Sequence, residues 1–136
     1  MKGVLIDSNV ILDVFEEDPN WVEWSESMLN HYSAIYTLYI NPIIYSEVSI
    51  GFECIEGLEE AIAGCRFQMI QIPKEALFLA GKAFIKYKRL KGSKASILPD
   101  FFIGAHAAVD KLGLMTRDTS RIRSYFPTVK LISPET

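Results

Sequence analysis

A short apolar run that ends in an acid constrains the fold of this chain most strongly. The run Val4–Ile6 is followed at once by Asp7, by the turn-forming residues Ser8 and Asn9, and by a second apolar segment at residues 10–15. A continuous apolar run between turn residues is typical of a buried parallel strand. The carboxyl ends of such strands form the site of an open α/β sheet, so we expect Asp7 to face a crevice. The alternative is that Asp7 only caps the next helix.

The rest of the chain alternates between strand-like and helix-like segments. Further strands are predicted at residues 34–40, 67–72, 114–116 and 129–132. Helices are predicted at residues 10–15, 21–31, 42–52, 55–65, 74–90, 98–112 and 122–126, with caps at Asn20 and Asn41 and a helix end at Gly113. This alternation predicts a parallel sheet with right-handed crossovers and helices on both faces. We expect residues 1–136 to form a single domain, because no repeat or linker interrupts them.

Charge is distributed unevenly along the chain. Residues 1–65 carry twelve acids and one base, a balance of −11, whereas residues 66–136 carry thirteen bases and five acids, a balance of +8. A basic face can therefore bind a polyanion even though the net charge is −3. The bases concentrate in one run, which contains Lys82, Lys86, Lys88, Arg89, Lys91 and Lys94. We interpret this run as a surface for a phosphate backbone, and the alternative is an ordinary solvated helix face.

Cysteine usage and hydropathy bound the environment of the protein. Cys54 and Cys65 lack the spacing of a zinc site, and we expect reduced, buried thiols. No stretch approaches the roughly 20 apolar residues of a membrane span. Asp7 interrupts the first apolar run too early for a secretory signal. We therefore expect a cytoplasmic protein with no membrane partner.

Four acids stand where a parallel sheet brings side chains together. Asp7 and Asp118 each follow a strand, Asp100 lies in the first turn of a helix, and Glu47 lies on the helix after the second strand. Strand carboxyl ends and helix amino ends meet at one edge of the sheet, so the four side chains can converge. Simpler interpretations exist for each acid: a cap or turn residue at the strand ends, a favourable helix-dipole interaction for Asp100, and a solvated position for Glu47.

Four carboxylates in one cleft predict a cation. They would repel one another and raise one another's pKa. Oxygen ligands without Cys or His favour Mg²⁺ or Mn²⁺ over zinc. Such a site suits phosphodiester hydrolysis, because one metal ion activates water and a second, about 3.5–4 Å away, stabilises the leaving oxygen. No Ser–His–Asp arrangement is evident, and we expect His106 and Asp110 on a solvated helix face.

Four motifs resemble, in order, those of PIN-domain ribonucleases. They are Asp7-Ser8-Asn9-Val10, then Ser46-Glu47-Val48 with Gly51, then residues 98–107 around Asp100, and finally residues 114–118 followed by Arg121 and Tyr125-Phe126-Pro127. Their order, their spacing and the short chain resemble VapC-type toxins of toxin–antitoxin pairs. The resemblance spans nearly the whole chain, although residues 51–94 carry no motif of the family.

The resemblance implies a three-layer α/β/α fold with a central parallel sheet and a Mg²⁺- or Mn²⁺-dependent endoribonuclease. The implied metal ligands are Asp7, Glu47, Asp100 and Asp118. The resemblance further implies that Asn9 and Thr116 orient these ligands by hydrogen bonds and that Arg117 or Arg121 contacts phosphate. A homodimer, and an antitoxin whose tail crosses the active-site groove, are also implied. From the basic run we add Lys86 and Arg89 as contacts to RNA.

Three alternatives remain at this stage. The first is a PIN-domain nuclease of RNA maturation without an antitoxin, and the second is a non-catalytic RNA-binding or interaction module. The third is a phosphotransfer domain. An aspartyl phosphatase would need an Asp at position 9, where this chain has Asn9. A response-regulator receiver would need an acid pair beside the first strand and a lysine where Thr116, Arg117 and Asp118 stand.

Overall fold

Strand β1 (Val4–Ile6) lies at the centre of a five-stranded parallel sheet. A computed structural model of the chain describes residues 1–90 and 98–134. The other strands in these ranges are β2 (Leu38–Ile40), β3 (Gln68–Met69), β4 (Gly113–Met115) and β5 (Lys130–Ile132). Their order across the sheet is β3-β2-β1-β4-β5, and every pairing is parallel. All three side chains of β1 are fully buried, as expected for a strand covered on both faces.

Helices cover the sheet and complete the predicted three-layer α/β/α fold. Those in the described ranges are α1 (Ser8–Phe15), α2 (Val22–Ser33), α3 (Pro42–Ser49), α4 (Ile55–Gly64), α5 (Lys74–Arg89), α6 (Leu98–Asp110) and α7 (Ser120–Tyr125). Each strand is followed by at least one helix except the last, which gives the alternation that the sequence predicts. None of these helices is both long and apolar enough to cross a membrane.

Side-chain caps determine where two helices near the site, α1 and α3, begin. Asp7 is the N-cap of α1 and accepts a hydrogen bond from the Ser8 backbone N–H. Asn41 caps α3, where its Oδ1 accepts from the Ile44 N–H at 2.9 Å, and Pro42 occupies the first helical position. Both caps directly follow a strand, so the two helices begin at the carboxyl edge of the sheet.

Several element boundaries differ from the sequence prediction. Strand β2 is shorter than residues 34–40, because the chain leaving α2 is still turning: the Tyr36 N–H donates to the Tyr32 carbonyl at 2.8 Å. The predicted cap at Asn20 is wrong. Instead, Oδ1 of Asp18 accepts from the N–H groups of Asn20 and Trp21, and α2 begins one residue later. Strand β3 keeps only two residues of the predicted six at the edge of the sheet.

Glycines and cysteines supply two further corrections. Gly113 does not end α6, which stops at Asp110 with Lys111 in the left-handed region at φ 55°. Gly113 is instead the first residue of β4, where a Cβ would collide with the Met1 side chain. The predicted close packing of α6 is present at Gly104, where a Cβ would lie 2.5 Å from the Phe126 ring. Cys54 is exposed rather than buried.

Candidate active site

Asp7 lies between β1 and β4 at the carboxyl edge of the sheet. Its Oδ1 accepts from the Ser8 N–H at 2.7 Å, and its Oδ2 accepts from the Thr116 hydroxyl at 2.7 Å. The parallel register of β1 and β4 pairs Ile6 with Met115, so the residues that follow them are neighbours. Asp7 therefore caps α1 and also lies at the crevice, so the two interpretations offered by the sequence hold together.

Asn9 and Thr116 form a hydrogen-bond network around Asp7. The Asn9 amide nitrogen lies 3.4 Å from Oδ2 of Asp7 and 3.4 Å from Oγ1 of Thr116. Thr116 is fully buried, and its Oγ1 also accepts from the Asp118 N–H at 3.1 Å. The strand-end residue Thr116 thus links the side chain of Asp7 to the backbone of Asp118. These are the two residues that the resemblance assigns to orienting the acids.

Glu47 reaches the same edge from α3. Its Oε1 accepts from the Ser8 hydroxyl at 2.9 Å, so Ser8 bridges the motifs of Asp7 and Glu47. Burial raises the pKa of the Glu47 carboxyl, the hydrogen bond from Ser8 opposes that rise, and the negative charge of Asp100 adds to it. The sequence gives no prediction of a role for Ser8 beyond a turn residue.

Asp7, Asp100 and Asp118 line one small cavity together with Ile103, Arg121 and Ile122. Burial raises the pKa of Asp7 to about 6, the Thr116 hydrogen bond opposes that rise, and the charge of Glu47 adds to it. Burial also raises the pKa of Asp100 to about 6, with further increases from Asp7 and Asp118 and a decrease from Arg121. The acids therefore share one electrostatic environment in which each disfavours the ionised form of its neighbour.

Arg121 places a positive charge beside two of these acids. Its Nη1 lies 3.4 Å from Oδ2 of Asp100 and 3.6 Å from Oδ2 of Asp118. Asp118 is 55% exposed and Arg121 is 28% exposed, so both side chains can rotate. Positive charge is therefore already favoured beside these two carboxylates.

The donor chemistry of the cluster fits a hard divalent cation. Every charged donor is a carboxylate oxygen, as Mg²⁺ and Mn²⁺ prefer, and the mutual repulsion of the acids is relieved by positive charge. As the side chains stand, no three Asp, Glu, His or Cys side chains within residues 1–90 and 98–134 are close enough together to hold a metal ion. A metal ion held by these acids would therefore require side-chain rotation, and the 55% exposed side chain of Asp118 is free to make it.

The predicted contacts to substrate occupy different places. The Arg117 guanidinium binds both carboxylate oxygens of Asp13, at 2.8 and 2.9 Å, and does not line the cavity. Lys86 and Arg89 are exposed in the last turn of α5. The Tyr87 ring between them lies 5.7 Å from the ring of Phe101, next to Asp100 in the chain. Two members of the basic run, Lys91 and Lys94, lie outside the described residues.

His106 is the clearest residue that sequence reasoning misjudged. It is fully buried, not solvated. Its Nδ1 lies 3.0 Å from the Asn41 amide nitrogen, and its Nε2 lies 2.9 Å from Oδ2 of Asp110. Because the Asn41 oxygen caps α3, its NH₂ donates to Nδ1 and Nε2–H donates to Asp110, which defines a neutral imidazole. Burial lowers the pKa of His106, although Asp110 opposes this. The contact ties α3, which carries Glu47, to α6, which carries Asp100.

A larger cavity, of about 560 Å³, lies away from these acids. Its lining includes Tyr36, Leu38 and Phe67 at the amino ends of β2 and β3, at the opposite edge of the sheet. None of the predicted site residues lines it. Three of the four candidate acids therefore lie at the smaller cavity, and none of them lies at the larger one.

The family model of the PIN domain matches residues 4–125. The chain therefore belongs to the PIN-domain family, whose members include nucleases that act as hydrolases. No curated protein sequence gives a significant match. The match covers both strand-terminal acids, Asp7 and Asp118, together with Glu47 and Asp100.

Solved structures share the fold over nearly the full length. VapBC2 from Rickettsia felis, bound to a DNA fragment from its promoter, gives a TM-score of 0.72 at 16% identity, covering 96% of this chain and 97% of that one. A toxin–antitoxin complex from Klebsiella pneumoniae gives 0.66 at 22% identity, covering 97% and 98%. FitAcB from Neisseria gonorrhoeae gives 0.66 at 20% identity, also covering 97% and 98%. At these identities the likeness shows a common fold.

Proposed function

We propose that the protein is a metal-dependent endoribonuclease that hydrolyses RNA phosphodiester bonds and acts as the toxin of a toxin–antitoxin pair. One observation carries the proposal: Asp7, Asp100 and Asp118 line one cavity in a PIN domain, and Glu47 is linked to the same group through Ser8. These four acids are the proposed catalytic residues and metal ligands. Burial and mutual repulsion raise the pKa values of Asp7, Glu47 and Asp100, and carboxylates in that state have a clear use in holding a cation and little use as a stabilising feature.

The residues around the acids have defined tasks in this proposal. Bound Mg²⁺ or Mn²⁺ supplies Lewis-acid chemistry that activates water and neutralises charge on the phosphate. Thr116 and the Ser8 N–H fix the two oxygens of Asp7, so that its carboxylate presents one orientation. Asn9 supports both Asp7 and Thr116. Arg121, once displaced from Asp100 and Asp118, is close enough to the cavity to contact a phosphate oxygen.

The basic end of α5 is the proposed path of the RNA backbone. Lys82, Lys86, Lys88 and Arg89 are all exposed. The aromatic contact between Tyr87 and Phe101 brings this end of α5 beside the first turn of α6, where Asp100 lies. A phosphate chain leaving the acids would therefore meet Lys86 and Arg89 within a short distance.

The antitoxin partner is proposed from the structural neighbours. VapBC2 and the Klebsiella pneumoniae complex are assemblies of a toxin with its antitoxin, and they share this fold. The homodimer is proposed from the resemblance of the four motifs to those of VapC-type toxins, which implies one. A short reading frame beside this gene that encodes a small DNA-binding protein would support the toxin role over a role in RNA maturation.

The test of the proposed activity is cleavage of a mixed RNA pool by the purified, partner-free protein. We expect cleavage with Mg²⁺ or Mn²⁺, none with EDTA, and none by Asp7→Asn with either metal. Glu56→Gln, which changes an exposed acid on α4, is the matched control and should cleave like the wild type. Absence of cleavage by folded wild-type protein with both metals would favour the non-catalytic RNA-binding module.

A further inference from the structure

An ion pair between the buried acid Asp13 and the partly exposed Arg117 has no part in the proposed metal cluster. Asp13 lies on α1 among apolar residues and is 3% exposed. Its Oδ1 accepts from Nη2 of Arg117 at 2.9 Å, and its Oδ2 accepts from Nε of Arg117 at 2.8 Å and from the Ser25 hydroxyl at 2.7 Å. The Arg117 guanidinium also lies 4.9 Å from the centre of the Trp21 ring. We call Asp13, Ser25, Trp21 and Arg117 the Asp13 clamp.

The clamp holds Arg117 from two directions. Asp13 on α1 binds its guanidinium, and the Trp21 ring lies against the same guanidinium just before α2. Ser25 on α2 donates to Asp13 and so holds the acid in place. Asn9 lies four residues before Asp13, on the same face of α1. Its side-chain oxygen accepts from the Arg117 backbone N–H at 3.4 Å. One face of α1 therefore binds both the backbone and the side chain of Arg117.

These contacts matter for the site because Arg117 lies between two of its residues in the sequence. Arg117 stands between Thr116, which donates to Asp7, and Asp118, which lines the cavity. The segment has left β4 at Met115, so the sheet ladder no longer fixes Asp118. Fixing residue 117 restricts the backbone on both sides of it, and with it the separation of Asp118 from Asp7.

We propose that Arg117 and Asp13 are positioning residues that set the place of Asp118 for metal binding, and that Arg117 does not bind substrate. The part of the proposal that concerns catalysis rests on the proposed nuclease function. Stability does not explain such a pair, because well-packed apolar residues of similar volume are often as stabilising as a buried ion pair. A fork of two hydrogen bonds fixes orientation, and orientation is what an acid at the end of a strand needs.

Two variants separate positioning from charge. Arg117→Lys keeps the positive charge but cannot make the two-pronged contact with Asp13. The double variant Asp13→Leu with Arg117→Met removes both charges and fills the space with apolar atoms. It avoids leaving one buried charge unpaired, so it should fold even where a single substitution at Asp13 does not.

The first readout does not depend on activity. We expect hydrogen exchange at the Arg117 and Asp118 amides to accelerate in both variants, while the amide of Leu114 in β4 keeps its protection. Mg²⁺ affinity measured by titration calorimetry should fall about 10–100-fold, the usual cost of losing a residue that supports a metal ligand. These measurements retain their meaning if the wild type cleaves no RNA, so failure of the proposed function is distinguishable from failure of the clamp.

The second readout uses RNA. We expect kcat to fall about 10–100-fold in both variants, in parallel with metal affinity, while KM and the salt dependence of RNA binding stay unchanged. A salt slope shallower by about 0.7 in the double variant, with Mg²⁺ affinity intact, would show that Arg117 contacts phosphate and would overturn the proposal. Unchanged exchange at residues 117 and 118 in a folded variant would also overturn it.

Discussion

The Thr116 hydroxyl donates a 2.7 Å hydrogen bond to Oδ2 of Asp7, across 109 residues of sequence. The bond joins the ends of adjacent strands and lowers the pKa of an acid that burial raises. It also leaves Oγ1 as the acceptor for the Asp118 N–H. A single hydroxyl thus connects the first and last acids of the cluster.

Replacement of Thr116 by valine tests that connection, because valine keeps the shape and removes the hydroxyl. We expect Thr116→Val to reduce metal-dependent cleavage about 10–100-fold, the range for residues that support metal ligands. Thr116→Ser keeps the hydroxyl and should retain most of the activity. Equal rates for the valine and serine variants would show that the hydrogen bond has no functional weight.

Asp7→Asn should raise stability at neutral pH while it abolishes activity. The folded-state pKa of Asp7, about 6, lies above its usual 3.8, so the folded state binds the proton more tightly. Ionisation therefore costs stability as pH rises from 3.8 to 6, and the cost persists above pH 6. The neutral amide of the variant does not carry this cost, so its free energy of unfolding should be higher than that of the wild type by about 1–3 kcal/mol.

Denaturant unfolding without divalent metal measures this effect. The gain of Asp7→Asn over the wild type should be present at pH 7.5 and vanish towards pH 4. Glu56→Gln, on the solvent-exposed side of α4, should show no comparable change. A gain that is equal at both pH values would contradict the assignment of a raised pKa to Asp7.

The lowered pKa of His106 predicts that its contribution to the free energy of unfolding changes with pH in the opposite direction to that of Asp7. Burial lowers its pKa below 6.5, so the stability it contributes is complete above pH 6.5 and is lost as pH falls towards the folded-state value. The neighbouring charge of Asp110 limits the size of the shift. Protonation would place a second donor against the Asn41 NH₂ group.

Comparison of the wild type with His106→Gln isolates this contribution from that of the acids. The wild type should be more stable at pH 7.5 by about 1–3 kcal/mol, since the variant leaves the buried Asn41 amide or Asp110 less well paired. The difference should shrink as pH falls to 5. A constant difference from pH 7.5 to pH 5 would mean that His106 does not titrate in this range.

Removal of the positive charges of Lys86 and Arg89 tests the RNA path. The double variant Lys86→Gln with Arg89→Gln should weaken RNA binding and lower its salt slope by about 1.4, or about 0.7 per lost phosphate contact on a single strand. Lys74→Gln is the matched control, because it removes an exposed charge from the other end of α5, about 22 Å away. Equal salt slopes for the double variant and the control would show that Lys86 and Arg89 lie on an ordinary solvated helix face and do not contact RNA.

The places of Asp7 and Asp100 at one edge of the sheet could be predicted from the sequence, because local rules determine them. Asp7 follows a continuous apolar run, and Asp100 lies behind a proline in a first helical turn, so the edge of the sheet that they face follows from parallel topology. The residue contacts of Arg117 could not be predicted in this way. Its partner Asp13 lies 104 positions earlier, and only the packing of α1 against the end of β4 brings the two together.

Burial of polar residues was the other source of error. His106 and Asp110 have the spacing of a solvated helix pair, yet His106 faces Asn41, 65 positions away, because α6 packs on α3. Asp13 offered a usable signal, since an acid among the apolar residues of α1 needs a buried partner. Predicted strand ends were wrong where the residues form turn hydrogen bonds instead. The bond from the Tyr36 N–H to the Tyr32 carbonyl, for example, lies within the segment predicted as part of β2.

The most direct test of the central claim is a Mg²⁺ titration by calorimetry of the wild type, Asp7→Asn and Asp100→Asn. It asks whether the converging acids form a cation site without requiring knowledge of the RNA target. We expect saturable binding to the wild type and a loss of at least about tenfold in affinity for each variant, because each removes a charged ligand. Failure of the folded wild type to bind Mg²⁺ or Mn²⁺, or equal affinity in all three proteins, would contradict the account.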